Sequence, residues 1–424
     1  MTTSKFIFLK TVFFFPIFLF FGFSIFLSCN SEKKLEISEW RGPDRSGIYS
    51  ETNLLNEWPE NGPKLLWVAK GLGKGYASPS ISNKQVFMNG EQDSTSFLFA
   101  FDLLGELLWK SPNGKEFMGE GFSSTYPGSR STPTVVNDLV YTSSGKGRIA
   151  CFEASSGTEK WAVDIINDLG GRESEFGYSE SLLVDENNVY CFVGGEEINM
   201  AAFDRFSGNV VWSSEALKDT FSYCSPIFVE LLNRKVIVTH SRHHIFAIDC
   251  EEGKTLGSYG LDGYEWDGEH CNSPIYSDGF IYFIGNDEKG KGAIKLEISE
   301  NGEKLNEIWY NNIIRNNFNG YVKIGNGLFT TVKGNWMKKL NIDDGLVSDS
   351  IKIATGSLIF ADNKFISYGM NGDVNLIHYK NDKLNVVSTF KVKEGDGHHF
   401  AHPVIANGIL YIRHGDALMA YIIK

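Results

Sequence analysis

The sequence predicts an all-β protein, an eight-bladed β-propeller. Three observations carry that expectation: a four-strand unit recurs along most of the chain, glycine-rich turns punctuate it, and an early strand can complete the last, incomplete unit. Of 424 residues, 44 are Gly, only 11 are Pro and 14% are aromatic, usage that favours many short strands joined by tight turns. Hydrophobic residues make up 42% and charged residues 22%, so the chain has apolar side chains for a large core and is not disordered throughout. The formal charge of −12, with no basic run, argues against a nucleic-acid partner, because such binders cluster Lys and Arg on the phosphate backbone.

The first segment to explain precedes the repeats. Met1 to Lys10 carries two cations, Lys5 and Lys10, and no acid; an uncharged run of 17 residues, Thr11 to Leu27, then leads into Ser28-Cys29-Asn30. A charged start, an apolar stretch and a small residue at the cut site describe an export signal. An uncleaved membrane anchor is the alternative, since about 20 apolar residues span a bilayer. Leu27-Ser28-Cys29 resembles a bacterial lipobox, with Phe26 standing where Leu is usual. That resemblance implies a lipoprotein signal peptide over residues 1–28 and a Cys29 carrying acyl chains such as palmitate. It also implies a lipidated tether over 29–39 and a single propeller over 40–424. The mature chain would keep 396 residues and a charge of −14. Its expected place is the cell envelope, as a lipid-anchored monomer facing the periplasm or the cell surface, with inner or outer membrane left open.

Five further cysteines, Cys151, Cys191, Cys224, Cys250 and Cys271, are neither adjacent nor in CxxC pairs. Most sit in apolar runs such as IACFEA and VYCFVG, where a buried thiol acts as a small hydrophobe, although one disulfide between distant strands is also open.

One half of the repeat is an apolar strand, an acidic or polar residue, a Gly turn and a strand often ending in Trp. It reads as FAFDLLGELLW (Phe99 to Trp109), ACFEASSGTEKW (Ala150 to Trp161), AAFDRFSGNVVW (Ala201 to Trp212) and FAIDCEEGKTLGSY (Phe246 to Tyr259), with weaker copies starting at Lys295, Lys339 and Leu376. Each is a hairpin: the acid accepts turn N–H groups and Gly supplies the reversal. Trp109, Trp161, Trp212 and Trp309 are expected to dock neighbouring blades. The other half enters at Ser78-Pro79, Thr132-Pro133, Ser179-Glu180, Ser225-Pro226 and Ser273-Pro274, at intervals of 54, 47, 46 and 48 residues. Further entries fall near Tyr321, Ser357 and His402-Pro403. Four strands per such period make one propeller blade. The last blade ends one strand short at Lys424, and KLLWVAK (Lys64 to Lys70) is available to close it, leaving no open edge. Seven blades is the alternative, because the sixth and seventh copies are degenerate.

These repeats, with the leader WRGPDRSGIYSETNLLNEWPENGPKLLW (Trp40 to Trp67), resemble the PQQ-like (pyrroloquinoline-quinone-like) propeller family. That family includes quinoprotein alcohol dehydrogenases and the propeller lipoprotein of the outer-membrane β-barrel assembly machine. For cofactor-binding members the resemblance implies a Ca²⁺ site, a Trp beneath the quinone and two adjacent disulfide-bonded cysteines. This chain has no Cys-Cys pair, and Trp266, flanked by Glu265 and Asp267, is the one candidate platform. The expectation is therefore a propeller without PQQ or Ca²⁺.

Residues just ahead of each blade entry should ring one mouth of the central channel. They are Tyr76, Arg130, Tyr178, Tyr223, His270, Asn319 within NNFNGY, and His399 beside His398 and Phe400. Arg forks to an anion, Tyr stacks on a ring and His moves a proton, so these types suit an anionic or polar ligand. The same residues can instead plug the channel by bonding one another. Function divides accordingly: a binding or scaffolding module for a protein or glycan, or an enzyme at the mouth, either a polysaccharide lyase-like sugar-active enzyme or a quinoprotein-like oxidoreductase. No catalytic set is complete and no metal is expected. The doublets His243-His244 and His398-His399 should point to opposite faces of a strand.

Overall fold

The computed structural model describes residues 1–5, 35–217, 219, 222–261, 270–286 and 291–424, so Cys29 and Trp266 lie outside the described residues. Residues 35–424 form one compact unit. The strands pair into eight sheets, the eight blades of a propeller: seven are built on four successive antiparallel strands and the eighth on the last three strands and an early one. In blade 3 the strands Leu183–Val184, Asn188–Phe192, Ile198–Asp204 and Val210–Glu215 run outwards from the channel in chain order. The degenerate sixth and seventh copies are complete blades, which begin with Tyr321–Ile324 and Gly356–Ala361, so the seven-blade alternative falls. Leu65–Ala69 pairs antiparallel with Ala417–Ile422 and supplies the missing outer strand of blade 8, as expected.

Turn chemistry follows the repeat. Asp102 Oδ1 accepts the Leu104 and Glu106 N–H groups at 2.8 and 2.9 Å, and Asp204 Oδ1 accepts that of Ser207 at 2.8 Å. The Trp side chains explain why the sequence couples a Gly to a Trp one blade back. Trp161 Nε1 donates to Arg205 O in the turn of the next blade (2.9 Å), and Trp109, Trp212 and Trp309 make the same bond to Ala154 O, Cys250 O and Ile342 O. Trp67, in the closing strand, donates to Leu103 O and so links blade 8 to blade 1. Gly208 follows in the turn that Trp161 covers; it has φ +73°, and a Cβ there would lie 2.7 Å from the indole. Trp161→Phe keeps the ring but removes the bond, and should lower stability by about 1–2 kcal/mol in urea unfolding, whereas a loss under a few tenths would deny the latch.

Among the described residues no disulfide forms: four of the five cysteines are buried and Cys271 is half-buried. The leader does not end as a tether at residue 39. Ile37–Ser38 pairs antiparallel with the inner strand of blade 2, Ile37 opposite Val136, and Ile48–Tyr49 pairs in parallel with the inner strand of blade 7. Inner strands have a free edge towards the channel, and the leader fills two of these edges.

Candidate functional site

Between its two short strands the leader crosses the channel as the loop Glu39 to Gly47. The loop winds tightly: Arg41, Asp44 and Arg45 all have left-handed backbones, with φ of +64°, +55° and +54°. Such strain persists where surroundings over-determine it, and here two arginines do so. Arg45 donates to Glu39 Oε2 (2.9 Å), to Pro226 O at the entry of blade 4 (2.8 Å) and to Leu182 O at the entry of blade 3 (2.9 Å). Arg41 reaches the opposite side, donating to Tyr321 O of blade 6 (2.6 Å), Leu358 O of blade 7 (3.4 Å) and His402 Nδ1 of blade 8 (3.2 Å). Both guanidiniums are buried, and burial lowers the Arg41 pKa to about 10. Arginine only donates, so His402 Nδ1 accepts and its Nε2–H goes to Phe318 O at 2.9 Å. Burial and the Arg41 charge hold His402 neutral, with a pKa of about 3.

The leader divides the channel. On one side is a hollow of about 220 Å³ lined by Glu39, Pro43, Tyr49 and Val404 to Asn407. On the other is a cavity of about 450 Å³, with Trp40 and His402 among its lining, their rings 5.1 Å apart. Aromatic side chains dominate the walls. Tyr76 and Phe400 pack at 5.2 Å, Phe318 and Phe400 at 4.5 Å, and Phe176 bridges Tyr126 and Tyr223 at 6.1 and 6.0 Å. Phe122 stands at the rim, 67% exposed. The polar lining is Arg130, Ser179, Ser181, Ser225, Cys271, Asn317 and His402; no carboxylate lines the cavity among the described residues. Arg130 donates to the carbonyls of Gly128 (2.9 Å) and Tyr126, and its guanidinium lies over the rings of Phe117 (4.8 Å) and Tyr76 (5.5 Å).

Of the seven residues expected at the mouth, Tyr76, Arg130 and Tyr223 line this cavity, and four do not. Tyr178 is buried in blade 3, its hydroxyl within bonding distance of Arg172 O (2.9 Å) and Val193 O (3.1 Å). His270 is buried against Phe283 and His240, and its Nδ1 accepts the Asn286 N–H at 3.3 Å. Asn319 is buried in the turn that Asn316 caps, while Asn317, two residues earlier, reaches the cavity. His399 stacks on His414 at 3.7 Å and bonds the Tyr368 hydroxyl at 2.5 Å; burial lowers its pKa to about 4. Its neighbour His398 stacks instead on Phe400 at 4.8 Å, on the cavity side, so this doublet does diverge. The other does not: His244 Nδ1 lies 2.8 Å from Asp219 Oδ2 and His243 Nε2 lies 3.8 Å from Oδ1, because His243 sits in the turn before the strand His244–Asp249. The trio of Arg130, Tyr178 and a His that a lyase would need is therefore not assembled. Sequence reasoning missed Trp40, which lies in the leader, and Phe122, Tyr126 and Phe176, which lie in the long connections after blades 1 and 2 and follow no repeat.

A family model described as outer membrane protein assembly factor BamB, a PQQ-like propeller family, matches residues 95–337, more than half of the chain. The chain belongs to the BamB family. A search of curated protein sequences finds no match. Among solved structures, BamB from Moraxella catarrhalis is 11% identical with a TM-score of 0.59, covering 85% of this chain and 99% of that one. A europium-containing methanol dehydrogenase (12%, TM-score 0.65) covers 88% of each chain. The quinohemoprotein alcohol dehydrogenase ADHIIG from Pseudomonas putida HK5 (13%, TM-score 0.65) covers 91% of this chain and 80% of its own. At such identities the likeness is one of fold. A quinone held beside a divalent metal needs oxygen ligands from carboxylates. Among the described residues none of the cavity lining is Asp or Glu and no group of three metal-ligating side chains occurs, while Glu265, Trp266 and Asp267 lie outside them.

Proposed function

We propose that this BamB-family propeller is an exported, lipid-anchored binding module of the cell envelope, at the periplasmic side of the outer membrane, which takes a protein segment, a glycan or a small organic ligand in its central cavity without a bound quinone. One observation carries the reading: the channel is closed across its middle by the leader, and what remains is a cavity whose walls are mostly aromatic and in whose described lining the one histidine, His402, has both ring nitrogens engaged. Such a wall suits the binding of an apolar or aromatic group. The propeller fold of the family supports a scaffold role, and the Leu27-Ser28-Cys29 signal supports the envelope location.

Two experiments test it. Cys29→Ser should abolish palmitate labelling and release the protein from the membrane fraction; unchanged labelling would remove the anchor from the reading. Thermal unfolding of the propeller should rise with a peptide or oligosaccharide ligand, by about 2.7 kcal/mol at 100 times its Kd, and the rise should vanish in Phe176→Ala. A rise with PQQ and Ca²⁺ would instead restore the oxidoreductase alternative.

A further inference from the structure

Resting on the reading of the cavity as a ligand site, we propose that its ligand is a small planar aromatic carboxylate, whose ring enters the aromatic walls and whose carboxylate pairs with Arg130. Charge decides against neutral ligands. The protein carries a net −12, yet the described cavity lining holds one charged side chain and it is a cation. Two of the five guanidinium N–H groups of Arg130 are used on Gly128 O and Tyr126 O, and among the described residues an acid acts on it through space without a direct ion pair. The nearby acid Glu116, buried next to Phe117, acts on that charge only through space and makes no ion pair with it. Its Oε1 accepts the backbone N–H groups of Phe117 (2.8 Å) and Gly145 (2.7 Å), and burial raises its pKa towards the neutral form. His402, held neutral by Arg41, adds no second cation, so a monoanion matches the site better than a phosphate or polyanion. A cation lodged among rings and left without an ion pair gains most from an anion brought in on an apolar body.

Shape and donors point the same way. A volume of about 450 Å³ holds one or two fused rings. Tyr126 and Phe176 meet edge to face at 65° and Phe176 and Tyr223 at 70°, presenting both faces and edges to an incoming ring. Sugar hydroxyls are gripped by paired carboxylate acceptors, and the described lining supplies none.

Cys271, in the lining and half-buried while the other four thiols are buried, reports occupancy. The propeller from Leu35 onwards, a compact unit by itself, would be alkylated with iodoacetamide in the presence of naphthalene-2-carboxylate, its carboxamide or 2-naphthylmethylammonium. The carboxylate should slow Cys271 alkylation saturably, the carboxamide should bind at least tenfold more weakly and the ammonium should not protect. Arg130→Gln, with its melting temperature checked, should erase the preference for carboxylate over carboxamide, and Arg130→Lys should keep part of it. Equal protection by the acid and the amide, or a preference that survives Arg130→Gln, would overturn the proposal. Protection by an oligosaccharide alone would overturn it while leaving the binding-module reading standing. Protection only by a peptide ending in a free-acid Phe would move the source from a small molecule to a protein tail and overturn it likewise. If no aromatic acid, peptide or glycan protects Cys271, both readings fall.

Discussion

Arg45→Ala should cost about 3–5 kcal/mol of folding stability, read as a shift of the urea midpoint at unchanged slope. The side chain contributes no ring contact and lines no cavity, so the loss comes from stranded polar groups. Without it the Pro226 carbonyl loses its donor, the Leu182 carbonyl keeps only the Thr134 hydroxyl (2.7 Å), and Glu39, whose pKa burial already raises, loses the cation that opposes this. The left-handed backbone at Arg45 (φ +54°) then has nothing to hold it. Arg45→Lys should restore only part of the loss, because an ammonium is a point charge and cannot serve three acceptors spread over the leader and two blades. A cost under about 1 kcal/mol would mean that the leader merely rests in the channel.

Glu180→Gln should stabilise the protein near pH 8 by on the order of 2–4 kcal/mol and flatten its stability between pH 5 and 8. Glu180 is buried, its Oε2 accepts the Phe192 N–H at 2.8 Å, and burial raises its pKa to about 8. The sign follows from comparing states. Below the ordinary carboxylate pKa, both folded and unfolded chains carry the proton and nothing is lost. Between that value and about 8 the unfolded chain ionises while the folded chain keeps its proton, so stability falls as pH rises. Above about 8 the folded chain carries a buried charge and the loss is complete. A Gln side chain keeps the acceptor for Phe192 and has no charge to bury. A wild-type melting curve flat from pH 5 to 8 would show that Glu180 is solvated or paired in solution.

The repeat was legible because one physical unit, an acid before a Gly turn and a Trp on the following strand, recurs locally and needs no knowledge of the rest of the chain. The role of WRGPDRSG was not legible. Arg41 and Arg45 find their acceptors among carbonyls of blades 3, 4, 6 and 7, far away in sequence and present before every kind of side chain. At the mouth, the expectation placed Tyr76, Arg130 and Tyr223 on the cavity and missed with His399 by one residue and with Asn319 by two. In extended chain a one-residue error turns a side chain to the other face, and in the turn that holds Asn319 no strand period applies. Phe122, Tyr126 and Phe176 escaped because loops that interrupt a repeat carry no period by which to find them.

The bond between Leu65–Ala69 and Ala417–Ile422 also sets a calendar for the molecule. A strand made early waits for one made much later, with seven blades between them, so the ring stays open until Ala417–Ile422 has been made. Arg41 likewise waits for Tyr321 and Leu358 before its donors are met. Until then, the outer strand of blade 8 has no sheet to join and blade 1 has no fixed Trp67 latch, leaving sheet edges that invite wrong pairings. A chain cut short by even its last six residues would keep its repeats and lose its seam, and such fragments should be found in aggregates or in the hands of proteases.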